Sequence, residues 1–267
     1  MPVFCPLSSG SNGNCAYANN GETRILIDAG LSGKRIESAL RSIKVEPESI
    51  NAVFITHEHG DHILGAGVIS RRFNIPLYAT PKTWDAMERE SILGQIEPKN
   101  KRIVEYDKKY KVGDLSVKPF MIPHDAVEPA GYSVFAEDYK ISVATDLGCV
   151  ADNVKENLYG SDVMLLESNH DLDMLKNGSY PWPLKKRIMG NYGHLSNVSC
   201  GSLIVEIMSS RVRHVFLGHL SDENNRPHIA YETVRSILEA NNIHPGADFG
   251  LSLAGRGQVG DYIILED

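Results

Sequence analysis

Thr56-His57-Glu58-His59-Gly60-Asp61-His62 is the stretch that decides how this chain is read. It follows the apolar run Ala52-Val53-Phe54-Ile55, which reads as a buried strand, and Gly60 lets the backbone turn tightly where that strand stops. His57 and His59 are two residues apart, so in extended chain their side chains point the same way. Asp61 and His62 open a segment predicted to be helical to about Arg72. The stretch thus offers two imidazoles to one ion, and a carboxylate plus an imidazole to another. A lone histidine at a strand end is commonly a solvated loop residue, but donors in this pattern define a metal site.

Outward from that stretch, 267 residues allow one large domain or two small ones, and 42% apolar content with 7% aromatics suffices for a substantial core. The four cysteines, Cys5, Cys15, Cys149 and Cys200, are widely spaced without a CxxC pair, which argues against a disulfide framework or a zinc ribbon. Cys149 reads as a small buried residue. No basic-then-apolar leader opens the sequence and no apolar run approaches the roughly 20 residues that span a bilayer, so a cytoplasmic protein with no membrane partner is expected. A net charge of −7 means that the field of the whole molecule does not attract nucleic acid. A polyanion would have to be held by metals and a local basic patch.

Strands are expected at Val3–Leu7, from Cys15, and at Arg24–Ile27, the last running into Asp28; the loop Ser8–Asn14 is a turn or a ligand contact. A carboxylate at the end of a buried strand needs a partner, which singles out Asp28. Further apolar strands run into His124, Asp146, Glu167 and His219, and a hairpin is predicted around Glu137-Asp138. Helices are expected at residues 197–209 and 228–240. Strands followed by strand–helix alternation, given twice without a linker, fit one domain over 1–267. Its expected class is α/β, a four-layer αββα sandwich, although an ordinary doubly wound fold gives a similar alternation.

The ordered set Asp28, His57-x-His59-x-Asp61-His62, His124, Asp146 and His219 resembles the five motifs of the metallo-β-lactamase superfamily. The resemblance implies that His57, His59 and His124 hold one ion, that Asp61, His62 and His219 hold the other, and that Asp146 bridges them. It implies that Asp28 hydrogen-bonds the ligand loop without touching metal. Two divalent ions per chain are expected, Zn or Mn, with Fe also compatible with imidazole and carboxylate donors. β-Lactam hydrolysis is not expected, because members that perform it often carry cysteine where this chain has Asp146.

Gly193-His194-Leu195-Ser196-Asn197 and the later Gly218-His219-Leu220-Ser221 resemble the distal half of ribonuclease Z-like phosphodiesterases, which implies that His194 faces a scissile phosphate. Ser9-Gly10-Ser11-x-Gly13-Asn14, Pro123-His124-Asp125-Ala126 and Glu167-Ser168-Asn169-His170-Asp171 narrow the resemblance to the YycJ/WalJ family, as do the segments around Lys185-x-Arg187 and His194. That family implies a 5′→3′ DNA exonuclease acting in mismatch repair, with DNA bearing a 5′ end as partner. The spacing of Asp146 and His219 leaves no room for a large inserted cap domain, and no long Gly/Pro-rich arm is present.

Two ions about 3.5–4 Å apart can deprotonate a bridging water and neutralise a phosphate oxygen, so attack of a bridging hydroxide on phosphorus is the expected chemistry. The expected catalytic residues are Asp61, through its ion, and His194, as proton or hydrogen-bond donor. Lys185, Lys186 and Arg187 form the best local basic patch, with His170 as a further contact; a solvated helix end and a structural histidine are the plainer readings. Tyr180, Trp182 and Tyr192 could stack on bases or simply pack. His214, His228 and His244 read as ordinary histidines. Two alternatives share the same metal motif: a hydrolase of a small thioester, lactone or cyclic phosphodiester, and a metal-stabilised regulatory protein without catalysis.

Overall fold

The structure, a computed structural model, describes residues 1–266. Its first half contains β1 (Pro2–Ser8), β2 (Cys15–Asn20), β3 (Thr23–Ile27), α1 (Gly33–Ser42), β4 (Ala52–Phe54), α2 (Gly60–Ile63), α3 (Ala66–Phe73), β5 (Leu77–Ala79), α4 (Pro81–Arg89) and β6 (Lys101–Ile103). The middle is β-rich, with β7 (Tyr110–Val112), β8 (Leu115–Met121), β9 (Ala130–Ala136) and β10 (Tyr139–Ala144). There follow α5 (Asp152–Leu158), β11 (Val163–Glu167), α6 (Leu172–Asn177), α7 (Trp182–Ile188), α8 (Asn197–Ile207), β12 (His214–Gly218), α9 (Pro227–Ala240), β13 (Gly250–Leu253) and β14 (Ile263–Ile264).

The strands form two sheets, ordered β14-β1-β2-β3-β4-β5-β6 and β13-β12-β11-β10-β9-β8-β7. Both sheets join an antiparallel part to four parallel strands, β3 to β6 in one and β10 to β13 in the other. The parallel strands at the centre of each sheet are buried along their length, so they read as continuous apolar runs without alternation. Phe4, Ile25, Ile27 and Phe54 of the first sheet meet Val117, Val134, Val143 and Phe216 of the second in a core between the sheets. Two further cores lie outside, one packing α1, α3 and α4 on the first sheet and one packing α5, α8 and α9 on the second. This is the expected αββα sandwich, in a single domain.

The helix predicted from Asp61 to about Arg72 is two helices, because the chain turns at Leu64-Gly65 between α2 and α3. Gly65 lies against the Leu31 carbonyl, where a side chain would not fit. The strand expected to run into His219 spans His214–Gly218, and the helix expected over 197–209 stops at Ile207. Of the described helices, none is long and apolar enough to cross a membrane.

Candidate metal centre

The carboxyl ends of β3, β4, β10, β11 and β12 open on one edge of the sandwich, where parallel strands of α/β proteins present their ligand-binding loops. Asp28 follows β3, Asp146 follows β10 and His219 follows β12, and all three have left-handed backbones, with φ of 62°, 58° and 53°. Asp and His tolerate this conformation better than most residues.

Asp28 is buried and accepts hydrogen bonds from the Thr56 N–H (2.8 Å) and hydroxyl (2.9 Å), and it lies 2.7 Å from His62 Nδ1. This fixes the His62 ring so that Nε2 points to Asp146 Oδ2, 2.9 Å away, with Asp61 Oδ2 at 3.6 Å. His57 Nε2 and His59 Nδ1 converge to 3.0 Å. His124 Nδ1 lies 3.2 Å from the Gly193 carbonyl, leaving Nε2 directed at the centre, 3.7 Å from Asp146 Oδ1. Among the described residues four overlapping donor groups result: His57, His59 and His124; Asp61, His62 and His219; His57, His62 and Asp146; and Asp146, Glu167, His194 and His219.

Do these residues fit divalent metal? The Nε2 atoms of His124 and His219 are buried and find no hydrogen-bond partner among the described residues, and both belong to the donor groups. A buried ring nitrogen facing other donors in this way is costly unless a cation joins them. The electrostatics agree. Burial disfavours charge throughout, yet His219 and His62 together hold Asp146 well below the usual carboxylate range. In return Asp28, Asp146 and Asp61 raise His62 well above the usual imidazole range. Carboxylates kept ionised at this depth need positive charge beside them, which a divalent ion would supply with the imidazoles as neutral ligands. The donor set therefore fits divalent metal.

Sequence reading missed the role of Glu167. Fully buried at the end of β11, it lies 2.7 Å from His194 Nδ1 and 2.9 Å from His219 Nδ1, and it also accepts the Leu147 N–H. Burial opposes its charge, but His194 and His219 hold its pKa at about 2. The ion pair with Glu167 raises His194 against the effect of burial. With Nδ1 engaged, the other nitrogen of His194 is left for whatever enters the cavity that His194 lines with Ser11, Arg187 and His219. A carboxylate ending an apolar run was the available signal, the same one that singled out Asp28.

The other expected contacts divide. Arg187 borders the centre, paired with Asp125, and Tyr180 lines the adjoining cavity. Lys185 does not reach the site: it is buried and donates to the Lys176 and Gly178 carbonyls at 2.9 and 2.7 Å, tying down the end of α6. Its place in the substrate patch is corrected accordingly, because α7 turns this side chain inward. His170 is buried too, lines neither cavity at the centre, and has its pKa pushed down to about 4 by burial. Trp182 is exposed away from both cavities. Cys149 is half-buried beside His124, not fully buried as expected.

The loop Ser8–Asn14 braces the centre. Asn14 Nδ2 lies 3.3 Å from Asp61 Oδ2 and 3.0 Å from His62 Nε2, while Ser9 Oγ accepts the His219 N–H at 2.8 Å. Gly30 permits this closeness, since a Cβ there would sit 1.6 Å from the Asp61 carbonyl oxygen.

An αββα sandwich with this donor set at the mouth of its two sheets has the architecture of a metal-dependent hydrolase. A family profile described as the beta-lactamase superfamily domain matches residues 23–217. The exodeoxyribonuclease WalJ of Streptococcus pneumoniae serotype 2 (strain D39) is 41% identical over 243 residues, covering 91% of this chain and 90% of that protein. The exodeoxyribonuclease YycJ of Bacillus anthracis is 37% identical over 246 residues, 92% of each. The chain belongs to the metallo-β-lactamase superfamily and, within it, to the WalJ/YycJ family. The Zn²⁺-bound PqqB structure from Methylobacterium extorquens superposes with a TM-score of 0.72 at 16% identity, covering 98% of this chain and all of that one, a likeness of fold alone.

Proposed function

We propose that this protein is a dinuclear metal-dependent exonuclease that removes nucleotides from the 5′ end of DNA, with a role in mismatch repair in the cytoplasm. The observation that carries the phosphodiesterase reading is His194, paired with Glu167 and open to the cavity at the edge of the donor groups. The relatives named exodeoxyribonucleases support DNA as substrate. Polarity and the repair role rest on family resemblance, and the free cysteines agree with a reducing compartment.

In this reading His57, His59 and His124 would hold one divalent ion and Asp61, His62 and His219 the second, with Asp146 available to both. Zn²⁺ and Mn²⁺ suit the donors, and Fe is compatible. Bound ions supply an activated water and neutralise charge on the phosphate. His194 donates its proton to the leaving oxygen, and Glu167 holds the imidazolium in place and keeps it charged. Arg187 grips a phosphate once the substrate has displaced Asp125 from it. Such an acid contributes typically 10²–10⁴-fold.

The test is cleavage of a DNA strand labelled at its 5′ or 3′ end, beside a thioester, with Mn²⁺ and then Zn²⁺. Mononucleotide-sized products from the 5′ end are expected. Release from the 3′ end alone overturns the polarity, and hydrolysis of the thioester alone overturns the phosphodiesterase reading.

A further inference from the structure

A second cavity, of about 530 Å³, shares His124 with the metal centre but is lined by neither His194 nor Arg187. That volume falls in the range of small-molecule sites, roughly 300–1,000 Å³. Its walls include Tyr106, Met121, Ile122, Pro123, Val127 and Tyr192. Three of these are large apolar side chains left open to solvent: Met121 is 52% exposed, Val127 49% and Tyr192 66%. Its charged lining residues, Lys82 and Glu128, have opposite sign. The cavity is therefore unsuited to track a phosphate backbone, unlike the one lined by Arg187 and His194.

The walls are held in place from the metal motif itself. Glu58, the acidic residue between His57 and His59, accepts the Val127 N–H at 3.0 Å and so pins the loop that carries Val127. Gly148, just past Asp146, packs against the turn bearing Tyr192; a Cβ there would sit 2.4 Å from the Asn191 carbonyl oxygen. Gly193 in the same turn presents its carbonyl to His124 Nδ1. Tyr192 thus stands at the rim on backbone fixed to both the Asp146 loop and a donor histidine. His124 itself is common to this cavity and the metal centre.

Resting on the phosphodiesterase reading, we infer that this cavity is a nucleobase pocket, in which the base of the nucleotide next to the scissile phosphate stacks on Tyr192 between Met121 and Val127. A phosphate at the donor groups leaves its attached sugar beside His124, with the base facing the apolar walls. Stacking on an aromatic ring is tolerant of sequence because every base has a π-face. The pocket accordingly accepts any base, as an exonuclease working along a strand requires.

Two measurements on the metal-loaded protein test this. The first compares cleavage of a strand with an intact terminal nucleotide and one with an abasic terminal residue. A preference of roughly 10-fold or more for the intact end is expected, from the usual strength of base stacking. It should fall close to one in Tyr192→Ala and persist in Tyr192→Phe. Equal rates in the parent, or a preference retained in Tyr192→Ala, overturns the pocket. The second needs no catalysis. Cys149 lines the cavity, whereas Cys5, Cys15 and Cys200 are buried. Alkylation of Cys149 by iodoacetamide should slow with thymidine monophosphate but not with deoxyribose phosphate, and the protection should vanish in Tyr192→Ala. Equal protection by both, or by neither, overturns the pocket even if no DNA is cleaved, an outcome that would separately defeat the phosphodiesterase reading.

Discussion

Glu167 links the two histidines on the second sheet's side of the centre, and its charge sets the behaviour of His194. An acid must be protonated to act, so the rate falls as pH rises through its pKa. Glu167 raises that pKa. In Glu167→Gln the basic limb of the pH–rate profile should therefore move to lower pH, with activity down about 10- to 100-fold, the usual cost of losing such a partner. A limb that stays put would show that His194 is not the titrating acid. Residue by residue, legibility followed sequence distance. His57, His59, Asp61 and His62 announced themselves because their spacing is local. Glu167 did not, since its partners lie 27 and 52 positions away. Lys185 looked like a phosphate contact because charge is visible in sequence and the direction of a side chain on a short helix is not.

Among the elements, the strand ends carry the chemistry and one loop aligns them. Ser8–Asn14 touches the Asp61-His62 turn through Asn14 and the His219 backbone through Ser9, so it spans donors from both sheets. The sequence left this loop open as a turn or a ligand contact, because glycine and serine spacing indicates a bend without saying what it bends around. Asn14→Ala should keep the fold and weaken metal affinity by about 10- to 100-fold, read by competition with a chromophoric chelator. Unchanged affinity would reduce the loop to a connection. The left-handed backbones of Asp28, Asp146 and His219 could not be read from the sequence either, since they depend on what closes over each strand end. The strands were legible, because burial on both faces writes itself as an apolar run.

At the scale of the whole molecule, the two sheets each bring part of the centre to a shared edge. Asp28, His57 and His62 follow strands of the first sheet, and His124, Asp146, Glu167, His194 and His219 stand at or beyond strand ends of the second. Strand–helix alternation alone fitted a doubly wound fold as well; the resemblance of the ordered polar strand ends to the metallo-β-lactamase motifs decided for the sandwich. The central claim is that this shared centre holds metal while His194 does chemistry beside it. Metal content and single-turnover cleavage of DNA, measured on His194→Ala and His62→Ala at one salt concentration, test it most directly. His194→Ala should keep its metal and lose roughly 10²–10³ in rate, with a smaller effect on substrate affinity. His62→Ala should lose metal and activity together. Loss of metal from His194→Ala to the same degree, or full metal with an unchanged rate, would contradict the account.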